Sequence, residues 1–232
     1  MQDSLSRTEG HVRHHLFEIE SPFQDEGQWP FGQGHSLDCP CDVMVAEKRR
    51  RADWHRGDWM QTFTGRQFYP MDPRPDEVDI TDIAHSLAMQ CRYNGHVRRF
   101  YSVAEHCVLM SQVIEPEFAL WALLHDATEA YVGDMVRPLK LNMPEYRAAE
   151  DRVEEAIAER FGLPVPMPAR VKEIDTAILL NERLELLSEP PRPWSTDGEM
   201  LAVEIVGWSP AVAKWEYLAR FAEITTKVDV VA

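Results

Sequence analysis

Apolar residues recur at intervals of three and four over most of the chain beyond its first third, which is the period of helices with one buried face. The first such run covers residues 80–87, can be capped by Asp79 or Thr81, and is expected to end near Asn94, which precedes a glycine. A second run follows Ser102, which has a glutamate three residues later at the spacing of a capping box. This part of the chain is therefore predicted to be helical.

Four further segments continue the helical pattern. The segment that Pro116 opens extends through Glu129, is apolar nearly all round, and is predicted to be the most buried helix. Residues 144–160 have the charge-rich amphipathic pattern of a surface helix, and residues 168–187 carry an inward apolar stripe. A closing helix begins at Ser209, and no internal repeat is visible.

The region before the helices has a different texture. Residues 63–70 resemble a short strand or hairpin. Residues 1–58 lack sustained periodicity, which predicts an irregular N-terminal extension followed by one domain over residues 59–232. Within the extension, Cys39 and Cys41 are either loop cysteines or part of a local metal site. The predicted fold is all-α, a helical bundle with a small β addition before it.

Composition narrows the classes of partner. A formal net charge of -15 and a pI near 5.0 create a negative field that repels nucleic-acid polymers and anionic membrane surfaces. A small anionic substrate would need a local positive source, which a divalent metal with nearby arginines can supply. Four cysteines, with no leader segment and no apolar stretch of about 18 residues, predict a cytoplasmic protein without membrane contact.

Imidazole and acidic side chains occupy inward positions of three predicted helices. His125 and Asp126 lie at the end of the most apolar helix, with Glu129 one turn later on the same side. His106 and Asp175 lie on the apolar stripes of two other helices. Each histidine alone would usually be a hydrogen-bonded core residue, and each aspartate a cap or a buried ion-pair partner. No Lys or Arg, however, lies one turn away on the inner face to pair with them. One divalent cation held by two imidazoles and two carboxylates would satisfy the set.

The same residues match a known pattern. His106, the adjacent pair His125 and Asp126, and the distant Asp175 resemble the H...HD...D signature of HD-domain phosphohydrolases. Their surroundings resemble the bacterial 5′-deoxynucleotidase branch and its phage-encoded relatives, which include a dATP triphosphohydrolase. The matching segments are Asp82–His85, Cys91–His96, Ser102–His106 and His125–Asp134. The resemblance runs from about Thr62 to the closing helix, implies an HD-domain helical bundle, and leaves out the N-terminal extension.

The resemblance implies roles for the inward residues. His106, His125, Asp126 and Asp175 would be the metal ligands, and Glu129 would handle the proton of the attacking water. General chemistry agrees, because a divalent metal lowers the pKa of water and polarises a phosphoryl oxygen, and a nearby carboxylate can orient or deprotonate that water. A further metal ligand or a plain hydrogen-bond partner is the alternative role for Glu129.

Substrate contacts are implied as well. Arg92 matches an arginine near the substrate phosphate, with a surface helix-end arginine as the alternative, and its planar guanidinium suits a phosphate. The second predicted catalytic residue, Asp134, matches an aspartate at the sugar that favours deoxyribose. Lys140 resembles a lysine of the phosphate region or is a surface lysine. Tyr93 replaces the tryptophan of the cellular deoxynucleotidases, and His96 either contacts a longer phosphate chain or has a core or surface role.

The sequence thus predicts a metal-dependent hydrolase of deoxynucleotide phosphates, either a dNTP triphosphohydrolase or a 5′-deoxynucleotidase. The expected cofactor is Zn, Co or Mn, and the resemblance leaves room for additional Mg or Co ions at the substrate phosphates. The alternatives are a non-catalytic, metal-containing nucleotide-binding or sensor module and a cyclic-nucleotide phosphodiesterase. A nucleotide is the expected partner, and the aromatic residues are compatible with a homo-oligomer.

Overall fold

The computed structural model describes residues 56–194 and 199–228, with side chains as far as residue 226. All of them fall within one structural unit that begins at Lys48. The predicted extension of residues 1–58, including Cys39 and Cys41, therefore lies outside the described residues except for its last three positions. The described chain is mostly helical with a small two-stranded sheet, as the periodicity predicts.

A hairpin is present, but its first strand lies before the predicted residues 63–70. Strand β1 (Met60–Gln61) pairs antiparallel with β2 (Gln67–Phe68), and Met60 lies opposite Phe68. Phe68 is fully buried and stacks on Tyr131, with 3.9 Å between the ring centroids. This contact attaches the hairpin to the helical core.

Helix α1 (Ile80–Met89) begins where the sequence predicts, because the Asp79 side chain accepts a hydrogen bond from Thr81 N at 2.8 Å. It ends earlier than the expected end near Asn94. Residues 92–95 form a turn in which Tyr93 (φ 56°) and Asn94 have left-handed backbone conformations that a continuous helix cannot contain.

Helix α2 (Val103–Val113) lies at the centre of the described fold. Ser102 caps it by accepting from Glu105 N at 3.1 Å, which confirms the predicted cap. Every residue from Val103 to Ser111 is buried, so α2 is buried over a longer stretch than the helix after Pro116. It packs against α1 and against three helices that come later in the chain.

The predicted third helix is interrupted, so its expected continuation through Glu129 is wrong. Helix α3 (Ala119–Leu124) follows a 3-10 turn at Pro116–Phe118, and the separate short helix α4 (Glu129–Val132) begins five residues later. Between them the backbone makes hydrogen bonds of the 3-10 type, in which an N–H group donates to the carbonyl oxygen three residues earlier. One example is Ala127 N to Leu124 O at 2.9 Å. His125 and Asp126 therefore lie on a turn.

Four helices complete the described fold, and three of them match the predicted segments. They are α5 (Arg137–Lys140), α6 (Pro144–Phe161), α7 (Ala169–Leu186) and α8 (Pro210–Val228). Helix α8 packs on α1, α2 and α3, and Tyr217 on α8 donates a hydrogen bond to Leu123 O at 2.6 Å. None of the helices in the described residues combines the length and the apolar character needed to cross a bilayer.

Candidate metal centre

His106 is presented by the buried helix α2 in a fixed orientation. Its side chain is fully buried, and its Nδ1 lies 2.6 Å from Oε1 of the equally buried Glu182 on α7. An ionised carboxylate can only accept hydrogen bonds, so Nδ1 of His106 carries the proton and donates it. The Nε2 atom of a neutral ring then has a free lone pair.

His125 is fixed in the same way from the turn after α3. Its Nδ1 donates to the carbonyl oxygen of Ala122 at 2.9 Å, and a carbonyl cannot donate in return. Its Nε2 lies 3.3 Å from Nε2 of His106. Two imidazoles from different elements thus direct the same type of nitrogen at each other, the orientation that backbone and carboxylate acceptors give to metal-ligating histidines.

Two carboxylates join the imidazoles. Asp126 places Oδ1 at 3.2 Å from Nε2 of His125, and Asp175 on α7 places Oδ1 at 3.3 Å from Nε2 of His106 and 3.9 Å from Nε2 of His125. One ligand atom each from His106, His125 and Asp126 lie within 4.8 Å of one another. The structure therefore brings all four predicted ligands to one place.

The donor set fits a divalent transition metal. Ligands about 2.0 to 2.2 Å from one cation lie roughly 3 Å from each other, which is the spacing seen here between the two Nε2 atoms and from each to a carboxylate oxygen. Two imidazole nitrogens and two carboxylate oxygens are also a set that Zn, Co and Mn accept. The group of His106, His125 and Asp126 can hold a metal ion.

The charges in the cluster depend on each other. Burial is the largest single influence on His125 and lowers its pKa, but the charges of Asp126 and Cys107 and their hydrogen bonds together leave this pKa well above its ordinary value. Burial favours neutral Asp126 and Asp175, yet His125 holds the pKa of Asp126 well below its usual range, and the proximity of His106 and His125 lowers the pKa of Asp175. The two aspartates are therefore anionic, and a cation bound at this cluster would displace the proton of His125.

Glu129 carries an atom that the described residues leave unsatisfied. Its Oε2 is buried and has no hydrogen-bond partner among them. Burial is the main cause that raises the pKa of Glu129, followed by the charges of Asp126 and Asp134. A buried carboxylate oxygen without a protein partner is uncommon, and contact with water or an ion or a catalytic role accounts for such an atom.

A cavity of about 180 Å³ joins Glu129 to the cluster. Basic residues in its wall are Lys140 and Lys172, and the Nζ atom of Lys140 lies 2.5 Å from Oε1 of Glu150. The other lining residues are His125, Asp126, Thr128, Glu150, Asp151, Glu154, Met167, Val171 and Asp175. The wall is thus strongly acidic, which suits a cation better than a bare anion.

The comparisons with known proteins place the chain in a family. No family model matches it. It is 38% identical over 170 residues to the uncharacterized protein YfdR of Escherichia coli strain K12, across 72% of this chain and 96% of YfdR. The chain belongs to the YfdR family. It is also 39% identical over 138 residues to the uncharacterized protein RCAP_rcc00048 of Rhodobacter capsulatus, across 55% of this chain and 70% of that protein.

In this member of the YfdR family, the residues predicted to contact substrate differ in whether they reach the centre. Arg92 reaches it, with Nη1 at 3.3 Å from Oδ2 of Asp126, and supplies the basic partner that the helical spacing did not offer. Asp134 is half-buried, and burial is the main cause that raises its pKa. Tyr93 and His96 are not among the residues that line the cavity, and His96 is exposed.

Glu182 is the residue of the centre that the sequence reasoning missed. It contacts His106, Arg92 and Tyr93 from α7, and its side chain is fully buried. Burial by itself raises the pKa of Glu182, but the charge of Arg92 and the contacts with His106 and Tyr93 lower it to about 2. A signal was present, because Glu182 follows Asp175 by two helical turns on the same apolar stripe.

Proposed function

We propose that this member of the YfdR family is an HD-type, metal-dependent phosphohydrolase that acts on deoxynucleotide phosphates. The observation that carries the proposal is the convergence of the Nε2 atoms of His106 and His125 with carboxylate oxygens of Asp126 and Asp175. Each imidazole is held by a hydrogen bond at its other nitrogen, so the centre is preorganised.

The metal would be held by these four side chains, and Zn, Co and Mn suit them best. A divalent cation supplies Lewis-acid chemistry, because it polarises a phosphoryl oxygen and makes water more acidic. The four ligands balance its charge, since two neutral imidazoles and two carboxylates carry -2 together.

Glu129 is the proposed general base. Its unpartnered Oε2 can accept a proton from water that attacks phosphorus, and its raised pKa brings it closer to the range in which proton transfer is efficient. Arg92 forms an ion pair with Asp126 through Nη1. Its buried Nε has no hydrogen-bond partner among the described residues. That N–H is available to a phosphate oxygen.

The size of the cavity suggests which part of a nucleotide it would hold. About 180 Å³ is smaller than the roughly 300 to 1,000 Å³ of sites that enclose a whole ligand, so the cavity would hold only the phosphate end, with the metal offsetting its acidic wall. Lys140 and Lys172 in its wall would contact phosphate oxygens there. Half-buried Asp134 would accept a hydrogen bond from the 3′-hydroxyl of the sugar and disfavour a 2′-hydroxyl.

Turnover of nucleotides by metal-loaded protein tests the proposal. The purified full-length chain is loaded with Mn, Co or Zn, its metal content is measured, and it is incubated with each of the four dNMPs and four dNTPs. Chromatography separates nucleoside plus phosphate from nucleoside plus triphosphate. No product from any of them after confirmed loading would refute the proposal, and thermal stabilisation by nucleotide without product would favour a sensor module.

Asp126→Ala sharpens this test. We expect the variant to keep its helical circular dichroism while losing turnover, because it removes a metal ligand from a turn and leaves the helices in place. The matched control is Asp76→Ala, at an exposed aspartate beyond the residues that line the cavity. Wild-type turnover by Asp126→Ala would remove the metal role assigned to it.

A further inference from the structure

Glu182 makes three contacts that join the metal centre to the turn before α2. Its Oε1 lies 2.6 Å from Nδ1 of His106. Its Oε2 lies 2.5 Å from the hydroxyl of Tyr93 and 3.3 Å from Nη2 of Arg92. Its side chain is fully buried. A buried carboxylate with three donors is fully satisfied and can hold each of them in one orientation.

The contact with His106 decides which ring nitrogen faces the other ligands. A neutral imidazole carries one proton, and the nitrogen without it is the one that can bind a metal. An acceptor at Nδ1 holds the proton there and leaves Nε2 for the centre. Among the described side chains, Glu182 is the group whose hydrogen bond to Nδ1 of His106 the structure shows.

The contacts with Arg92 and Tyr93 act on a turn that is costly to form. Tyr93 and Asn94 have φ values of 56° and 51°, and a bulky residue in this conformation needs support from its surroundings. The hydroxyl of Tyr93 donates to Glu182, and Nη1 of Arg92 donates to Oδ2 of Asp126 at 3.3 Å. One carboxylate thus fixes both a metal ligand and the arginine that contacts a second ligand.

We propose that Glu182 is a positioning residue, which keeps the proton of His106 on Nδ1 and holds Arg92 against Asp126. Its effect on turnover rests on the proposed function, whereas its effect on the His106 ring is a property of the chain without metal. The two parts can therefore fail separately.

The test compares Glu182→Gln and Glu182→Met with the wild type. Methionine keeps the approximate volume and removes both acceptors, while glutamine keeps the shape, removes the charge and places an amide donor near other donors. Long-range proton–nitrogen NMR spectra of the metal-free proteins report which nitrogen of each ring is protonated, and His106→Asn assigns the signal. We expect Nδ1–H in the wild type and a mixture of tautomers in Glu182→Met.

Metal affinity gives the second readout. Competition with a chromophoric chelator for Co or Zn should show a loss of about 10- to 100-fold in Glu182→Met, which is the usual effect of removing the partner of a ligating histidine. Glu77→Gln is the matched control, because it weakens another largely buried glutamate–arginine pair, with Arg56 at 2.5 Å, outside the residues of the centre. It should leave both the tautomer and the affinity at wild-type values.

Tyr93→Phe keeps the proposal testable if Glu182→Met does not fold. It removes one hydrogen bond to Glu182 and should weaken phosphate inhibition or substrate binding through Arg92 more than it weakens metal affinity. A wild-type His106 tautomer and wild-type metal affinity in folded Glu182 variants would overturn the proposal. A changed tautomer in a protein that turns over no nucleotide would uphold the positioning role and refute the proposed function.

Discussion

Glu129 differs from the other acidic residues of the centre because one of its oxygens is buried without a hydrogen-bond partner among the described residues. Asp126 and Asp175 lie within 3.2 and 3.3 Å of imidazole nitrogens, which holds their pKa values low. The pKa of Glu129 is raised instead, by burial and by the charge of Asp126. Two aspartates that stay anionic beside one carboxyl that accepts a proton more easily would suit the proposed hydrolysis.

Glu129→Gln should separate catalysis from metal binding. We expect kcat to fall by about 100- to 10,000-fold, because the variant cannot accept a proton, while metal content stays at the wild-type level. The free energy of unfolding should not decrease, since a buried unpaired carboxyl is replaced by a neutral amide. Steady-state kinetics, metal analysis and urea unfolding measure these quantities. Loss of metal together with activity would instead make Glu129 a metal ligand.

The four residues of the cluster could be singled out from the sequence because each belongs to a local pattern. His106 and Asp175 share apolar stripes with their neighbours, and a polar residue on such a stripe is conspicuous. Their orientation could not be predicted in the same way. The partner of His106 at Nδ1 lies 76 positions away at Glu182, and that distance along the chain carries no periodic signal.

At the scale of elements, the interruption after Leu124 shapes the centre. A continuous helix would have carried His125, Asp126 and Glu129 along one rigid face. The turn between α3 and α4 allows His125 to use the carbonyl oxygen of Ala122, while Asp126 reaches Arg92. Residues 125–128 are compatible with a helix by composition, so the break is a tertiary effect on a sequence without a strong helix-ending signal.

The loop before α8 is attached to α2 by a buried carboxylate. Glu105 accepts hydrogen bonds from the backbone N–H groups of Val206, Gly207 and Trp208 at 2.9, 2.9 and 2.7 Å. Gly207 has φ +78°, and a Cβ at this position would lie 2.9 Å from the backbone oxygen of Phe100. The loop therefore needs glycine both for its conformation and for space.

Gly207→Ala should lower the free energy of unfolding by about 1 to 3 kcal/mol, because it adds a close contact to a strained backbone conformation. Gly162→Ala is the matched control, since Gly162 has φ +67° at the end of α6 but open space around a Cβ. It should cost about 1 to 2 kcal/mol for the left-handed conformation, and less than Gly207→Ala costs. Thermal and urea unfolding compare the two, and equal losses would show that the contact with Phe100 has no effect.

At the scale of the whole molecule, the net charge of -15 makes a bound cation stabilising beyond its own ligands. Ligand binding to the folded state adds about 2.7 kcal/mol at a concentration 100 times the Kd. Removing metal with a chelator should therefore lower the Tm, and adding Co or Zn back should restore it. An unchanged Tm in both directions would contradict the metal centre.

The stabilisation by metal should increase with pH. Because the pKa of His125 is raised in the metal-free fold, its protonation stabilises that fold at low pH, and this contribution is lost as pH rises through the raised pKa. Glu129 acts in the same direction, because its raised pKa makes ionisation costly in the metal-free fold. A bound cation replaces the proton of His125, so metal affinity rises over the same range.

The measurement is the difference in Tm between metal-loaded and chelator-treated protein from about pH 6 to about pH 9, a range that brackets the ordinary pKa of histidine. We expect this difference to grow with pH, while Asp126 and Asp175 remain ionised throughout because their pKa values are low. A constant or shrinking difference would mean that metal binding does not displace a proton in this range.

The sequence by itself determined the helical class, the caps at Asp79 and Ser102, and the candidates for the metal ligands. Each of these depends on neighbours within about one or two helical turns, where side-chain periodicity and hydrogen-bonding groups act directly on the backbone. The tertiary structure decided the break after α3 and the early end of α1. It also decided the pairing of Glu182 with His106 and Arg92, across 76 and 90 positions. Contacts over such separations form only when the packed helices bring the groups together, so local pattern could not specify them.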